Sequence, residues 1–334
     1  MHSAFFYLLM NLYRLLSRSL QSSIVLTLAT GALIMWPVIA GNDTAMVQFI
    51  LQGHVLFALP DWVARALQFA VIILIGVTAQ RLTETSFLSP VRTYTFYNTL
   101  MLFTLATPEM QVFTENTLIA LLFYISVHQL IKILIYGHPA SKVVNITFVV
   151  MAATCVKPAS IIMLPVFFIA LIGMRQMNLR NFTAVFMTLF SCLGLMAAAC
   201  YLLDQMPTWE NIIPQFHLLS LNLLTESPHD FVYLSIVLLM TLVVIILNQA
   251  YMLRYKIQIR TLHRVLAFIS LVCWVMLCFM TPHITELTTV VLFFSAFLLG
   301  PFFSNQEYPL ARILLPLLFL FSIAKLVVEY LGII

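Results

Sequence analysis

Charge is what this sequence has least of. Asp, Glu, Lys and Arg make up 8% of its 334 residues, where a soluble domain carries about 25%. With 62% hydrophobic residues beside that deficit, a soluble globular domain is excluded, and a polytopic membrane protein is the class that remains. Alternation of polar and apolar residues is missing too. The apolar runs are long and continuous, which excludes an outer-membrane strand barrel and predicts an all-α fold, a polytopic transmembrane helical bundle. No basic cluster carries interleaved aromatics, so nucleic acid is not a partner. The five cysteines, Cys155, Cys192, Cys200, Cys273 and Cys278, lie in apolar stretches with no CxxC and no nearby His pair. They read as small buried hydrophobes, not as a disulfide frame or a metal site. No repeat of roughly 20–50 residues recurs, and no low-complexity tail or soluble domain is legible.

What is there is a series of eleven apolar segments, at about Leu20–Ala40, Trp62–Gln80, Thr93–Ala106, Asn116–Tyr136, Val143–Val156, Pro158–Gly173, Phe182–Leu203, Phe231–Leu253, Arg264–Thr281, Ile284–Gly300 and Leu310–Gly332. The few charges test whether each crosses the bilayer once. With the N-terminus in the cytoplasm and strict alternation, 13 of the 16 Lys and Arg residues fall on the inner side. Only Arg65, Lys157 and Lys325 fall outside. The acids do the reverse: of 12, only Glu84 and Glu307 fall inside. Basic residues inside is the rule for inserted helices. The expected location is therefore a bacterial inner membrane, with the N-terminus cytoplasmic and the C-terminus outside.

That partition explains an oddity. Between Val143 and Ile172 the only charge is Lys157, followed by Pro158. Were this stretch one tilted helix, Arg175 and Arg180 would move outside and every later loop would change sides. Two short crossings with an outer turn at Lys157-Pro158 keep the charges sorted. Proline has no N–H and disfavours helix at the residue before it, so a helix readily ends at Lys157. Segments of about 14 residues reach only about 21 Å across a core of about 30 Å. Such short helices can leave a watery vestibule on the outer side.

Residues 1–19 form an expected amphipathic interfacial helix. Phe5, Leu8, Leu9, Leu12, Leu15 and Leu16 share one face, with Asn11, Arg14, Arg18 and Gln21 on the other, an arrangement suited to anionic headgroups. Val38-Ile39-Ala40 resembles a signal-peptide cleavage site, but the polar start fits an uncleaved first span better. Residues 20–334 then form a single transmembrane domain with two long outer loops, 41–61 and 204–230. The first contains AMVQFILQGHVLFALP, apolar enough to lie along the membrane surface. The second carries His217, His229 and four of the acids. Glu109 and Glu115 flank a shorter outer turn and are expected to be solvated.

His54, His217, His229 and His283 all fall near the outer face, and Asp230 and Glu226 flank His229. A metal needs three or four converging ligands, and no HExxH or similar spacing occurs, so no metal and no cofactor is implied. His54, His229 and Asp230 stand as secondary candidates. No acid sits clearly at mid-membrane and no inverted repeat is visible, which disfavours a coupled transporter.

The eleven-span plan, with an acid in the first outer loop and a long outer loop after span seven, resembles the C-superfamily glycosyltransferases, which use polyprenyl-phosphate sugars. The stretch NITFVVMAATCVKPASIIMLPVFFIALI looks like that family's paired short spans with a basic residue at the turn. The resemblance implies Asp43, in GNDTAMVQF, as the catalytic base and Lys157 as the lipid-phosphate ligand. The plainer readings are an N-cap for Asp43 and a snorkelling lysine for Lys157. The first outer loop is short for the family. The order of LQFAVIILIGVTAQRLTETSFLSPVRTY, FTENTLIALLFYISVHQLIKIL, the Lys157 hairpin and RNFTAVFMTLF is similar over most of the chain to a group of uncharacterised polytopic membrane proteins of Bacteroidota. Two functional classes follow. One is a lipid-linked-sugar glycosyltransferase-like protein of envelope assembly whose partner is membrane lipid, polyprenyl phosphate in particular. The other is a non-catalytic scaffold for membrane-protein partners.

A cysteine placed at position 157 in a cysteine-free background should react with an impermeant maleimide added outside the cell. Labelling from the cytosolic side alone would sink the two-crossing arrangement.

Overall fold

The computed structural model describes residues 2–39, 46–51, 54–86, 93–137, 139–202, 228–251, 256–279, 284–305 and 309–331. Among them are twelve α-helices. In chain order they are α1 (His2–Arg18), α2 (Leu20–Ile39), α3 (Asp61–Thr85), α4 (Thr95–Ala106), α5 (Glu115–Tyr136), α6 (Pro139–Val156), α7 (Met163–Gly173), α8 (Leu179–Leu202), α9 (Pro228–Tyr251), α10 (Ile257–Phe279), α11 (Ile284–Ser304) and α12 (Ala311–Leu331). Each of the eleven apolar segments is a helix, α2 to α12. Seven of them are long and apolar enough to cross a membrane: α2, α3, α5, α8, α9, α10 and α12. The protein is a multi-pass helical membrane protein.

Of the remaining four, α4 and α11 form the centre. Every residue of α4 is buried, and so is α11 from Thr288 to Ser304. A helix that is apolar all round belongs in the middle of a bundle. The two cross at Gly300, which has no side chain to keep them apart. A Cβ there would lie 2.7 Å from the Phe96 Cα. The Thr95 hydroxyl crosses the same gap and donates to the Gly300 carbonyl at 2.8 Å. Phe96 packs on Phe297 at 4.8 Å between ring centroids, and Phe293, Phe294, Phe123 and Tyr124 extend the aromatic layer. Around this pair, α5 and α10 pack on α11, and α2, α3 and α12 pack on α4. α8 lies at the edge, touching α6, with Met187, Phe190 and Leu195 exposed.

Many hydroxyls inside the helices bond locally, although those of Ser17, Thr117, Ser270 and Thr289 are buried without a hydrogen-bond partner among the described residues. Thr99, Thr104, Thr147, Thr241, Ser295 and Ser322 each donate to a carbonyl one turn back. An unpaired hydroxyl in an apolar medium costs several kcal/mol at most and about 1–3 in proteins, so this local bonding makes threonine tolerable there.

Three sequence expectations meet the structure here. α6 ends at Val156, and Lys157 is extended (φ −142°, ψ 116°) before the 3₁₀ turn Pro158–Ile162, as the Lys-Pro pair requires. α1 is amphipathic, but it docks on the bundle and does not simply lie beside it. Leu9, Tyr13 and Leu16 are buried against α4 and α12, and the Tyr13 hydroxyl donates to the Phe303 carbonyl at 2.7 Å. Leu8 and Leu15, on the other half of the apolar stripe, stay exposed beside Arg14. The apolar part of the first loop is an antiparallel hairpin, β1 (Met46–Leu51) and β2 (His54–Pro60), with Leu51 opposite His54. Val47, Phe49, Val55 and Phe57 are β-formers, and pairing two short strands satisfies their backbone without a helix.

Gly300→Ala should lower stability by about 1–3 kcal/mol, the usual cost of overpacking, because the new methyl meets backbone. Gly194→Ala, where a Cβ meets nothing within 4 Å, should stay within about 0.5 kcal/mol of wild type. Thermal unfolding in one detergent compares them.

Candidate functional site

Arg65, Lys157 and Lys325, with acids near them, belong to the side that the charge pattern predicts to be outer. The turn between α4 and α5 links two groups there, with Glu109 in the 3₁₀ turn Pro108–Met110 and Glu115 at the first residue of α5.

The first group surrounds Lys157. Because Pro158 ends α6, the lysine backbone is extended and its side chain enters a cleft between α5, α7, α10 and α11. Asn116, Ser160, Met163, Cys273 and Val290 share the lining. The free volume is about 20 Å³, room for about one water molecule. Burial pulls the Lys157 ammonium down from 10.5 to about 8, and the Glu115 carboxylate pulls it part of the way back. A larger cleft of about 190 Å³ lies between α9 and α10, but its lining is apolar apart from the Thr241 hydroxyl and the Cys278 thiol.

The second group surrounds Lys325, two turns before the end of α12. Its side chain is 4% exposed, and its ammonium meets the Asp230 carboxylate at 2.6 Å as an ion pair rather than an aligned hydrogen bond. The Tyr233 ring lies 5.2 Å from the ammonium, and the Tyr233 hydroxyl shares a hydrogen bond of 3.1 Å with Ser322. Asp230 sits in the first turn of α9, where the helix dipole favours an acid. Glu109 is half-buried, not solvated as the sequence reading expected. Burial raises its carboxyl above the ordinary value, its own backbone hydrogen bond opposes this, and Asp230, Lys325 and Glu329 act on it through space. A third pair, Arg65 with Asp61 at 2.5 Å, closes the first turn of α3.

The predicted residues are distributed as follows. Asp43 lies outside the described residues, as do residues 203–227 with His217. His54 is in β2, and its side chain also lies outside the described residues. His229 is half-buried in the first turn of α9, with its Nδ1 buried and unpartnered among the described residues. Asp230 is brought to Lys325 and not to a metal cluster. Among the described residues no three His, Cys, Asp or Glu side chains converge as metal ligands. Sequence reasoning missed Lys325 as a buried group. The available signal was a lone cation in an apolar helix, one turn before Glu329, with Asp230 at another helix end on the same predicted side.

These features define a multi-pass helical membrane protein in which Arg65, Lys157 and Lys325 each have an acid within reach. Comparison with protein-family models, curated proteins and solved structures returned no match.

Lys157 should titrate near pH 8 when followed by NMR of reductively methylated lysines. Glu115→Gln should lower that midpoint further, since the carboxylate holds it up. A charged lysine with a lowered value costs stability, so this contribution improves as pH rises from about 8 toward the ordinary 10.5.

Proposed function

We propose that the chain is an eleven-span inner-membrane protein of envelope assembly that binds the phosphate of a lipid, of the polyprenyl-phosphate class, at Lys157 on the outer side. The observation that carries this reading is the placement of Lys157. The turn between α6 and α7 holds one cation in a half-buried cleft with the amide of Asn116 and the hydroxyl of Ser160. A compact ammonium with these neutral groups beside it, and the Glu115 carboxylate within electrostatic reach, suits a phosphate as a point charge. Burial strengthens the attraction, because a phosphate dianion restores the charged form that the cleft disfavours. The resemblance to polyprenyl-phosphate-using transferases supports the same assignment, with Asp43 as the base that takes the acceptor proton.

One observation favours a second reading. The cleft has room for about one water molecule, not for a sugar and its acceptor, so a phosphate seats at its mouth. A non-catalytic membrane subunit that recognises lipid phosphate without transferring sugar fits that size.

Native mass spectrometry of the purified protein against a polyprenyl phosphate, with the parent polyprenol as control, tests the site. The phosphate should bind at least about tenfold tighter than the alcohol, a difference of about 1.4 kcal/mol. Lys157→Gln should abolish that preference, and Lys157→Arg should keep most of it. Equal binding of phosphate and alcohol, or an unchanged Lys157→Gln, removes the proposal. Sugar release from a polyprenyl-phosphate sugar, lost in Asp43→Asn, selects the transferase reading, and preferential binding with no release selects the non-catalytic one.

A further inference from the structure

A buried ammonium in an apolar bundle is held in place by its surroundings, and at Lys325 those surroundings carry an excess of acid. From α9 come Asp230, which pairs with the ammonium, then His229, and Tyr233 with its ring against the ammonium. From α12 come Glu329 and Ser322. From the 3₁₀ turn between α4 and α5 comes Glu109, within electrostatic reach of Asp230, Lys325 and Glu329. α11 packs against both α9 and α12 and brings Glu286 in its first turn, with a side chain outside the described residues. At this end α10 brings only the Cys278 thiol, and α4 brings no ionisable group.

One ammonium therefore faces three carboxylates from three parts of the chain. It can neutralise one in full, and Asp230 holds that position at 2.6 Å. Ionising Glu109 adds a second half-buried negative charge beside Asp230. We propose that this cluster is a proton-responsive latch. The Asp230–Lys325 pair clips the start of α9 to the end of α12, and ionisation of Glu109 on the adjoining turn loosens the clip by repelling Asp230 and competing for the ammonium. The ligand is the proton on the side of the membrane where these groups lie. The latch holds the start of α9, and it is independent of any role for Lys157.

The sign follows from which state holds the proton. Burial first, and the neighbouring acids after it, hold the Glu109 carboxyl above its ordinary 4.5 in the closed state. The closed state thus binds the proton more tightly than the open one. Its advantage is complete below about 4.5 and is lost as pH rises through the raised value.

Hydrogen exchange of the full-length protein in lipid nanodiscs tests this, read as protection factors for residues 229–234 corrected for intrinsic exchange. Between pH 4.5 and 8, wild-type protection should fall severalfold, because the closed state loses its proton-linked advantage as the Glu109 carboxyl ionises. Glu109→Gln cannot ionise and should keep high protection throughout. The double variant D230N/K325M keeps the shape of the pair without its charges and should lose the pH response. Three results would overturn the latch: wild-type protection that does not change with pH, a Glu109→Gln profile that overlays wild type, or a pH response that survives in D230N/K325M.

Discussion

The approach of Gly300 to Phe96 sets the geometry of this bundle. Lipid is as apolar as leucine, so helices in a membrane gain little from hiding apolar surface from each other. They associate through close packing and interhelical hydrogen bonds, and small residues at the crossing make both possible. Here the crossing joins the two helices with the most complete burial, α4 and α11. The missing side chain lets the Thr95 hydroxyl reach a backbone carbonyl across the gap. The aromatic layer of Phe96, Phe297, Phe293 and Tyr124 then fills the space around a contact that is already fixed. α2, α3, α5, α10 and α12 take their positions against that pair.

Short central helices have a second consequence. α4 and α7, with 12 and 11 residues, are shorter than the long helices beside them, so the turns next to them are packed among neighbouring helices. That explains how Lys157 and Glu109 come to be half-buried although both lie in turns. Each of the three cations of the predicted outer side has an acid in reach: Asp61 for Arg65, Asp230 for Lys325 and Glu115 for Lys157. An unpaired ion in this setting would be expensive, and a paired one is tolerated when its geometry is good. The pairs join different elements, so charge on that side acts on the arrangement of helices as well as on any ligand.

Much of the fold could be read directly from the residues. All eleven apolar runs are helices because twenty or so apolar residues with no partner strand have no other way to satisfy their backbone in lipid. The break at Lys157-Pro158 was legible because proline acts on its neighbour through local sterics, which need no tertiary context. The β-hairpin was less visible, because a short apolar run bounded by turn residues fits a strand or an interfacial segment equally well. The split face of α1 was also hidden. Periodicity places Leu8, Leu9, Leu15 and Leu16 on one stripe, and only the position of α4 and α12 decides that Leu9 and Leu16 are covered while Leu8 and Leu15 are not.

By itself, the sequence determined the class of protein, the number of its apolar helices, and the place where Lys157 interrupts them. These follow from composition and from the stereochemistry of adjacent residues. Tertiary structure alone decided which helices are central and how the charges pair. It brought Lys325, Asp230 and Glu109 together although they are distant along the chain. Contacts of that kind depend on how helices pack, and packing is set by shapes that meet only after the chain has folded.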